Sequence, residues 1–193
     1  LALLSDSVQL AVTSNGLWRT ADAGDSWDRL LPDTGQYVYT THPVAVLNAD
    51  RFGAVLGQNL WWTQDGGQHF SDVTPPHSLT RGFLFAANQN QLFTTDTLGV
   101  VLSNDFGLSW HSVLPGEIMV DLEQHPDGTL FALTAPFSLT TNTRLLRSSD
   151  GGWTWENIVV PGLQPTGFFD LTISADGELL VNGLGTHSLK IAR

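Results

Sequence analysis

The sequence predicts an all-β fold assembled from repeated four-stranded antiparallel units, and three observations carry that expectation. One polar stretch recurs four times at near-constant spacing. Turn formers dominate the charged residues, with 15 Asp against 4 Glu, and 7 Arg against the single Lys190. Asp bonds readily to nearby backbone in turns, whereas Glu and Lys favour exposed helices. No segment sustains a 3.6-residue apolar period, while short apolar runs bounded by turn residues are frequent.

The recurrent stretch is "LWRTADAGDSWDRL" (17–30), "LWWTQDGGQHFSDV" (60–73), "VVLSNDFGLSWHSV" (100–113) and "LLRSSDGGWTWENI" (145–158). Each copy reads apolar pair, any residue, Ser or Thr, x, Asp, x, Gly, x, x, aromatic. Its hydroxyl residues Thr20, Thr63, Ser103 and Ser148 are 43, 40 and 45 residues apart, a period that suits a four-stranded propeller blade. Before each copy, an Asp-bearing or Asn-bearing turn precedes a short apolar strand: "SDSVQLAV", "NADRFGAVL", "ANQNQLFTT" and "HPDGTLFAL", with "SADGELLV" as a fifth. One unit is therefore strand A, a turn, strand B, strand C, the box and strand D. The D strands end at Pro32, Pro75 and Pro76, Pro115 with Gly116, and Pro161 with Gly162. Proline donates nothing to a ladder, so these ends suit an outer edge.

Within the box, Asp22, Asp65, Asp105 and Asp150 can accept bonds from turn amides that lack a ladder partner. Gly24, Gly67, Gly107 and Gly152 can take positive φ, which a β-carbon penalises. Trp27, Phe70, Trp110 and Trp155 are expected to fall back against the sheet. The box is read as a hairpin fastener, with neither the alternating oxygen ligands nor the closing Glu of a calcium loop. Residues at this spacing resemble the Asp-box, or BNR repeat (S/T-x-D-x-G-x-x-W), with Phe70 replacing the usual Trp. The resemblance spans residues 1–193 as one β-propeller domain with blades at about 1–34, 35–76, 77–116, 117–162 and 163–193, the last one partial. Four blades are complete, and the chain reads either as a thin five-bladed ring or as part of a larger propeller. An incomplete last blade would invite association through its open face.

A net charge of −11 argues against nucleic acid and against an anionic membrane surface. No apolar run approaches the ~20 residues that span a bilayer, so membrane insertion is not expected. With no cysteine, thiolate metal sites are excluded, and the six histidines show no metal-ligand spacing. No cofactor and no metal site is expected. His69 and His111 flank box aromatics and read as surface residues of strand D.

The Asp-box resemblance implies sialidases and related glycosidases as one branch. Those grip a carboxylate with three arginines and use a tyrosine nucleophile with a glutamate partner. Here the only tyrosines are Tyr37 and Tyr39, no Arg-Ile-Pro motif occurs, and Arg19 and Arg147 sit on strand C. No catalytic residue is assigned, and the sequence points away from catalysis. Candidate ligand contacts are Asp121 and Glu123 in "MVDLEQHP", Asp170 in "FFDLTI", and Trp62, which serves either as core packing or as a ring for a sugar or partner. A second branch, the Ycf48-like propellers and their bacterial relatives, is similar in its boxes and implies a binding scaffold. The expectation is a non-enzymatic, exported bacterial propeller, extracellular or periplasmic, that binds an unknown protein or surface-glycan partner. The alternative is a lectin or glycoside hydrolase.

Overall fold

The computed structural model describes residues 2–32, 42–87, 90–136, 143–159, 168–174 and 176–183. The expected features at Tyr37, Tyr39, Pro161 and Gly162 lie outside them. Among the described residues every regular element is a strand. The first sheet is β1 (Ala2–Leu3), β2 (Gln9–Thr13), β3 (Gly16–Thr20) and β4 (Asp28–Pro32). A second holds β5 (Val44–Val46), β6 (Phe52–Leu56), β7 (Asn59–Thr63) and β8 (Ser71–Asp72). The third is β9 (Leu79–Ala87), β10 (Gln91–Asp96), β11 (Gly99–Ser103) and β12 (His111–Pro115). In the fourth are β13 (Glu117–Gln124), β14 (Leu130–Pro136), β15 (Arg144–Ser148) and β16 (Glu156–Asn157). A hairpin of β17 (Phe168–Ile173) and β18 (Leu179–Gly183) follows. Strand order equals chain order throughout each sheet, as an antiparallel meander requires. The fold class is therefore all-β, in four-stranded antiparallel sheets.

By backbone packing the chain divides into two compact units, Leu1–Thr97 with Val101–His111, and Leu98–Val100 with Ser112–Arg193. In the first unit the core is layered between sheets. Successive residues of a strand point to opposite faces, and β6 is buried throughout. Phe52, Ala54 and Leu56 join Leu10 and Leu17 of the first sheet. Val55, with Leu60, Trp62 and Val73, joins Leu79, Leu84 and Leu92 of the third. A sheet covered on both faces cannot show the polar–apolar alternation of a half-solvated one, which is why "FGAVL" reads as a continuous apolar run. In the second unit, Leu133 and Leu145 of the fourth sheet meet Leu171, Leu179 and Val181 of the hairpin.

Candidate functional site: a groove on the fourth sheet

The four boxes close by one hydrogen-bond scheme. The Thr20 hydroxyl donates to Asp22 Oδ1 at 2.6 Å and accepts the amides of Asp22 at 3.2 Å and Gly24 at 2.9 Å. Thr63, Ser103 and Ser148 repeat all three bonds with Asp65 and Gly67, Asp105 and Gly107, and Asp150 and Gly152. These hydroxyl residues are at most 1 % exposed. Asp22 Oδ1 also accepts the Ser26 amide at 2.9 Å, while Oδ2 accepts the Ser26 hydroxyl at 2.5 Å. Ser109 and Thr154 do the same for Asp105 and Asp150. In the second box His69 takes that place, with its amide 2.9 Å and its Nδ1 2.7 Å from the Asp65 carboxylate.

The reading of His69 as a plain strand-D surface residue is thereby corrected: exposed as it is, the ring is a member of the turn. The residue before each aromatic is a position that sequence reasoning missed, because Ser, His, Ser and Thr share only a donor. These bonds hold the Asp carboxyls low. Asp150 stands at about 2, first through the Thr154 hydroxyl. Asp22 and Asp105 are lowered first by the hydroxyls of Ser26 and Ser109, and Asp65 by the His69 amide. Hydrogen bonds to the charged form favour it.

The four box aromatics are half-buried. The indole of Trp27 donates to Gly24 O at 3.2 Å and that of Trp155 to Gly152 O at 2.9 Å. Trp110 donates to Val73 O in the preceding sheet at 3.0 Å, and Phe70 meets Phe52 edge-on at 6.0 Å. Trp62 is 2 % exposed and stacks on Phe106 at 5.9 Å. Of the two uses left open for Trp62, its burial under Phe106 fits core packing and not a ring offered to a sugar or partner.

The fourth sheet carries a concave feature among the described residues of the second unit. Directly opposed residues on antiparallel strands share a face, and the register places Glu123 against Phe131, Phe131 against Arg147, and Arg147 against Glu156. One row across four strands thus reads acid, aromatic, cation, acid. Outward along this row opens a groove of about 440 Å³. Phe131, Ile158 and Leu179 give it apolar surface, and Asp127, Arg147 and Glu156 give it charge. Arg147 Nη1 lies 3.8 Å from Glu156 Oε1, with both side chains substantially exposed, a geometry worth little in solvent. At the β13–β14 turn, His125 Nδ1 sits 2.8 Å from Asp127 Oδ1. The Asp127 carboxyl is held at about 2, first by the Thr129 amide.

The acidic candidates come together near the inner end of this row, in different states. Asp121 is buried, and its carboxylate accepts the amides of Leu122 at 2.8 Å and Leu171 at 2.6 Å, tying β13 to β17. Asp170 is exposed and accepts Asn182 Nδ2 at 3.2 Å. Glu123 is half-buried. Burial pushes its carboxyl up to about 7, and the charges of Asp121 and Asp170 act in the same direction. Glu123 is thus a carboxyl that exchanges its proton near neutrality, whereas Asp121 is committed to backbone. Among the described residues no group of three or more His, Asp or Glu comes together to hold a metal, and no helix is long and apolar enough to cross a membrane.

No family model matches the chain, and no curated protein matches it. Solved structures do. A Ycf48 structure described as bound to D1 peptide is 20 % identical, with a TM-score of 0.61 over 94 % of this chain and 61 % of that one. An ancestral GH74 enzyme is 13 % identical, with a TM-score of 0.71 over 96 % of this chain and 29 % of that one. The extracellular domain of a putative hybrid two-component system from B. thetaiotaomicron is 12 % identical, with a TM-score of 0.60 over 100 % of this chain and 27 % of that one. The chain spans about three fifths of that Ycf48 structure and under a third of the other two. At such identities the likeness speaks for the fold alone: the four sheets and the hairpin are blades of a β-propeller, about five in number.

Proposed function

We propose that this protein is a non-enzymatic, exported propeller that serves as a binding and assembly scaffold, with residues 1–193 forming one domain of Asp-box blades. The observation that carries the reading is the groove on the fourth sheet. Its apolar surface from Phe131, Ile158 and Leu179 offers desolvation, while Asp127, Arg147 and Glu156 offer orientation, the usual division of labour in a protein-recognition site. The Ycf48 structure is described as bound to a peptide, which supports peptide capture by a propeller of this kind. The extracellular neighbour supports placement outside the cytoplasm.

The test is site-specific cross-linking from a photoreactive residue at Thr129, on the groove, against one at Asp28, on an exposed strand of the first sheet. A protein adduct from Thr129 alone is the expected result. Equal adducts from both positions, or none from Thr129, overturn the reading.

A glycan or glycoside partner is the second reading, favoured by one observation: Glu123 holds its proton up to about pH 7, where a general acid is useful. The GH74 neighbour supports it. Glycoside hydrolysis needs a second carboxylate about 5–10 Å away, and Asp170 is the exposed acid that acts on Glu123. Hydrolysis of β-glucan oligosaccharides that disappears in both Glu123→Gln and Asp170→Asn would establish it, and a blank glycan array with no turnover would exclude it.

A further inference from the structure

The first unit shows twice how one sheet receives the box turn of the next. Arg19, the residue before the first box hydroxyl, donates through Nη1 to Gly66 O in the second box at 2.9 Å. Leu30, three residues after the first box aromatic, presses on the second box glycine: a β-carbon on Gly67 would lie 2.9 Å from Leu30 Cδ1. The third box repeats the arrangement on the second sheet. Trp62 stacks on Phe106, a β-carbon on Gly107 would lie 2.5 Å from Val73 Cβ, and Trp110 Nε1 donates to Val73 O. The receiving positions are therefore the residue before the hydroxyl and the third residue after the aromatic.

On the fourth sheet those positions are Arg147 and Ile158, and both line the groove. Arg147 has the chemistry of Arg19, a guanidinium able to donate to a turn carbonyl. Ile158 has the branched apolar surface of Leu30 and Val73, and its amide is satisfied by Leu145 O at 2.8 Å as that of Val73 is by Leu60 O at 2.9 Å. Gly177 and Leu179 of the hairpin wall the other side.

We propose that this groove is a socket for a further box turn, a Ser/Thr-x-Asp-x-Gly segment presented by a propeller blade outside residues 1–193. The proposal rests on the reading of the groove as a protein-docking site and names the partner element. Arg147 donates to the carbonyl of the residue between the Asp and the Gly. The glycine, lacking a β-carbon, closes on Ile158. Continuity with the two box-and-socket contacts already inside the chain is what singles out this occupant.

The test adds to the intact 193-residue chain a head-to-tail cyclised peptide carrying the third box, residues 103–110 (SNDFGLSW). Cyclisation is needed because an isolated hairpin is marginal in water. Saturable binding is expected, with NMR shift changes centred on Arg147, Ile158 and Leu179. It should weaken at least tenfold in Ile158→Asp, in Arg147→Glu, and with the peptide carrying Gly107→Val. Arg147 is 47 % exposed in its side chain, so Arg147→Glu keeps the test open if Ile158→Asp fails to fold. No binding, or equal binding by wild type and Arg147→Glu, overturns the proposal. So does concentration-dependent self-association that Arg147→Glu abolishes and the peptide does not compete with, which would make a second copy the occupant. A Thr129 adduct without peptide binding sinks the box turn while leaving the docking site standing, and the loss of both sinks the two together.

Discussion

Gly53 and Trp62 face each other across β6 and β7, and a β-carbon on Gly53 would lie 2.4 Å from the indole Cε3 and 2.6 Å from Trp61 O. The glycine is there so that the ring can lie flat over its neighbour strand, where Phe106 then covers it. The equivalent pair in the fourth sheet, Phe131 opposite Arg147, sets two large side chains against each other, and both line the groove.

Gly53→Ala should therefore destabilise the chain by about 1–3 kcal/mol, the usual cost of overpacking a tight interior. Denaturant unfolding measures it, and an unchanged midpoint would show that the Trp62 ring and the β7 backbone at Trp61 both shift to make room. Gly53 is not a positive-φ glycine, so the whole penalty is steric.

Each box hydroxyl is buried and accepts two backbone amides. Ser148→Ala strands the buried amide of Gly152 and leaves that of exposed Asp150 to water, which should cost about 1–3 kcal/mol for the unmet buried donor. Ser148→Thr, which restores the hydroxyl as Thr20 and Thr63 have it, should recover most of that loss. A serine-to-alanine change without effect would mean that water replaces the hydroxyl.

The residue between Asp and Gly is left-handed in all four boxes: Ala23 at φ 61°, Gly66 at 73°, Phe106 at 57° and Gly151 at 76°. A non-glycine residue there costs roughly 1–2 kcal/mol, against ~0.5–1 kcal/mol of extra chain entropy for glycine. Ala23→Gly should accordingly be neutral or stabilising by up to about 1 kcal/mol, while Gly66→Ala, which meets nothing nearer than 3.7 Å, should lose about 1 kcal/mol from strain alone. Opposite signs in thermal unfolding are the result to look for. The Ala23 amide donates to Ser7 O at 2.9 Å, a bond that either variant keeps, so two destabilised variants would mean that the Ala23 methyl makes a contact of its own.

Those turns were legible in the sequence because their bonds are local, between residues two and four apart, and demand fixed chemistry at Asp22 and Gly24 and their equivalents. The left-handed position before each glycine was not, since Ala23 and Phe106 carry no mark of it. Ser26, His69, Ser109 and Thr154 share a donor but no shape. The groove was beyond reach for a different reason. Phe131, Arg147 and Glu156 meet only through strand register, and register follows from pairing that spacing alone does not specify. Asp121 was singled out with Glu123 as a candidate ligand contact, yet it is buried, and only the amide of Leu171 reveals it as a strut between strands.

Two sets of carboxyls make the pH dependence of stability run in opposite directions. Glu123 binds its proton more tightly folded, at about 7, than unfolded, at about 4.5. Between these values the folded state holds more protons, so this group's effect on stability falls as pH rises from about 4.5 to 7. Asp150 and Asp127 bind protons less tightly folded, at about 2. Their stabilisation is complete above about 4 and is lost as pH falls toward 2. Unfolding free energy measured across pH should therefore slope downward between 4.5 and 7 and decline again below 4, the second change being modest because Asp150 and Asp127 are exposed. Glu123→Gln should flatten the first limb and leave the second unchanged. An unaltered slope in that variant would show that Glu123 titrates as an ordinary exposed acid, removing the physical support for its role as a proton donor.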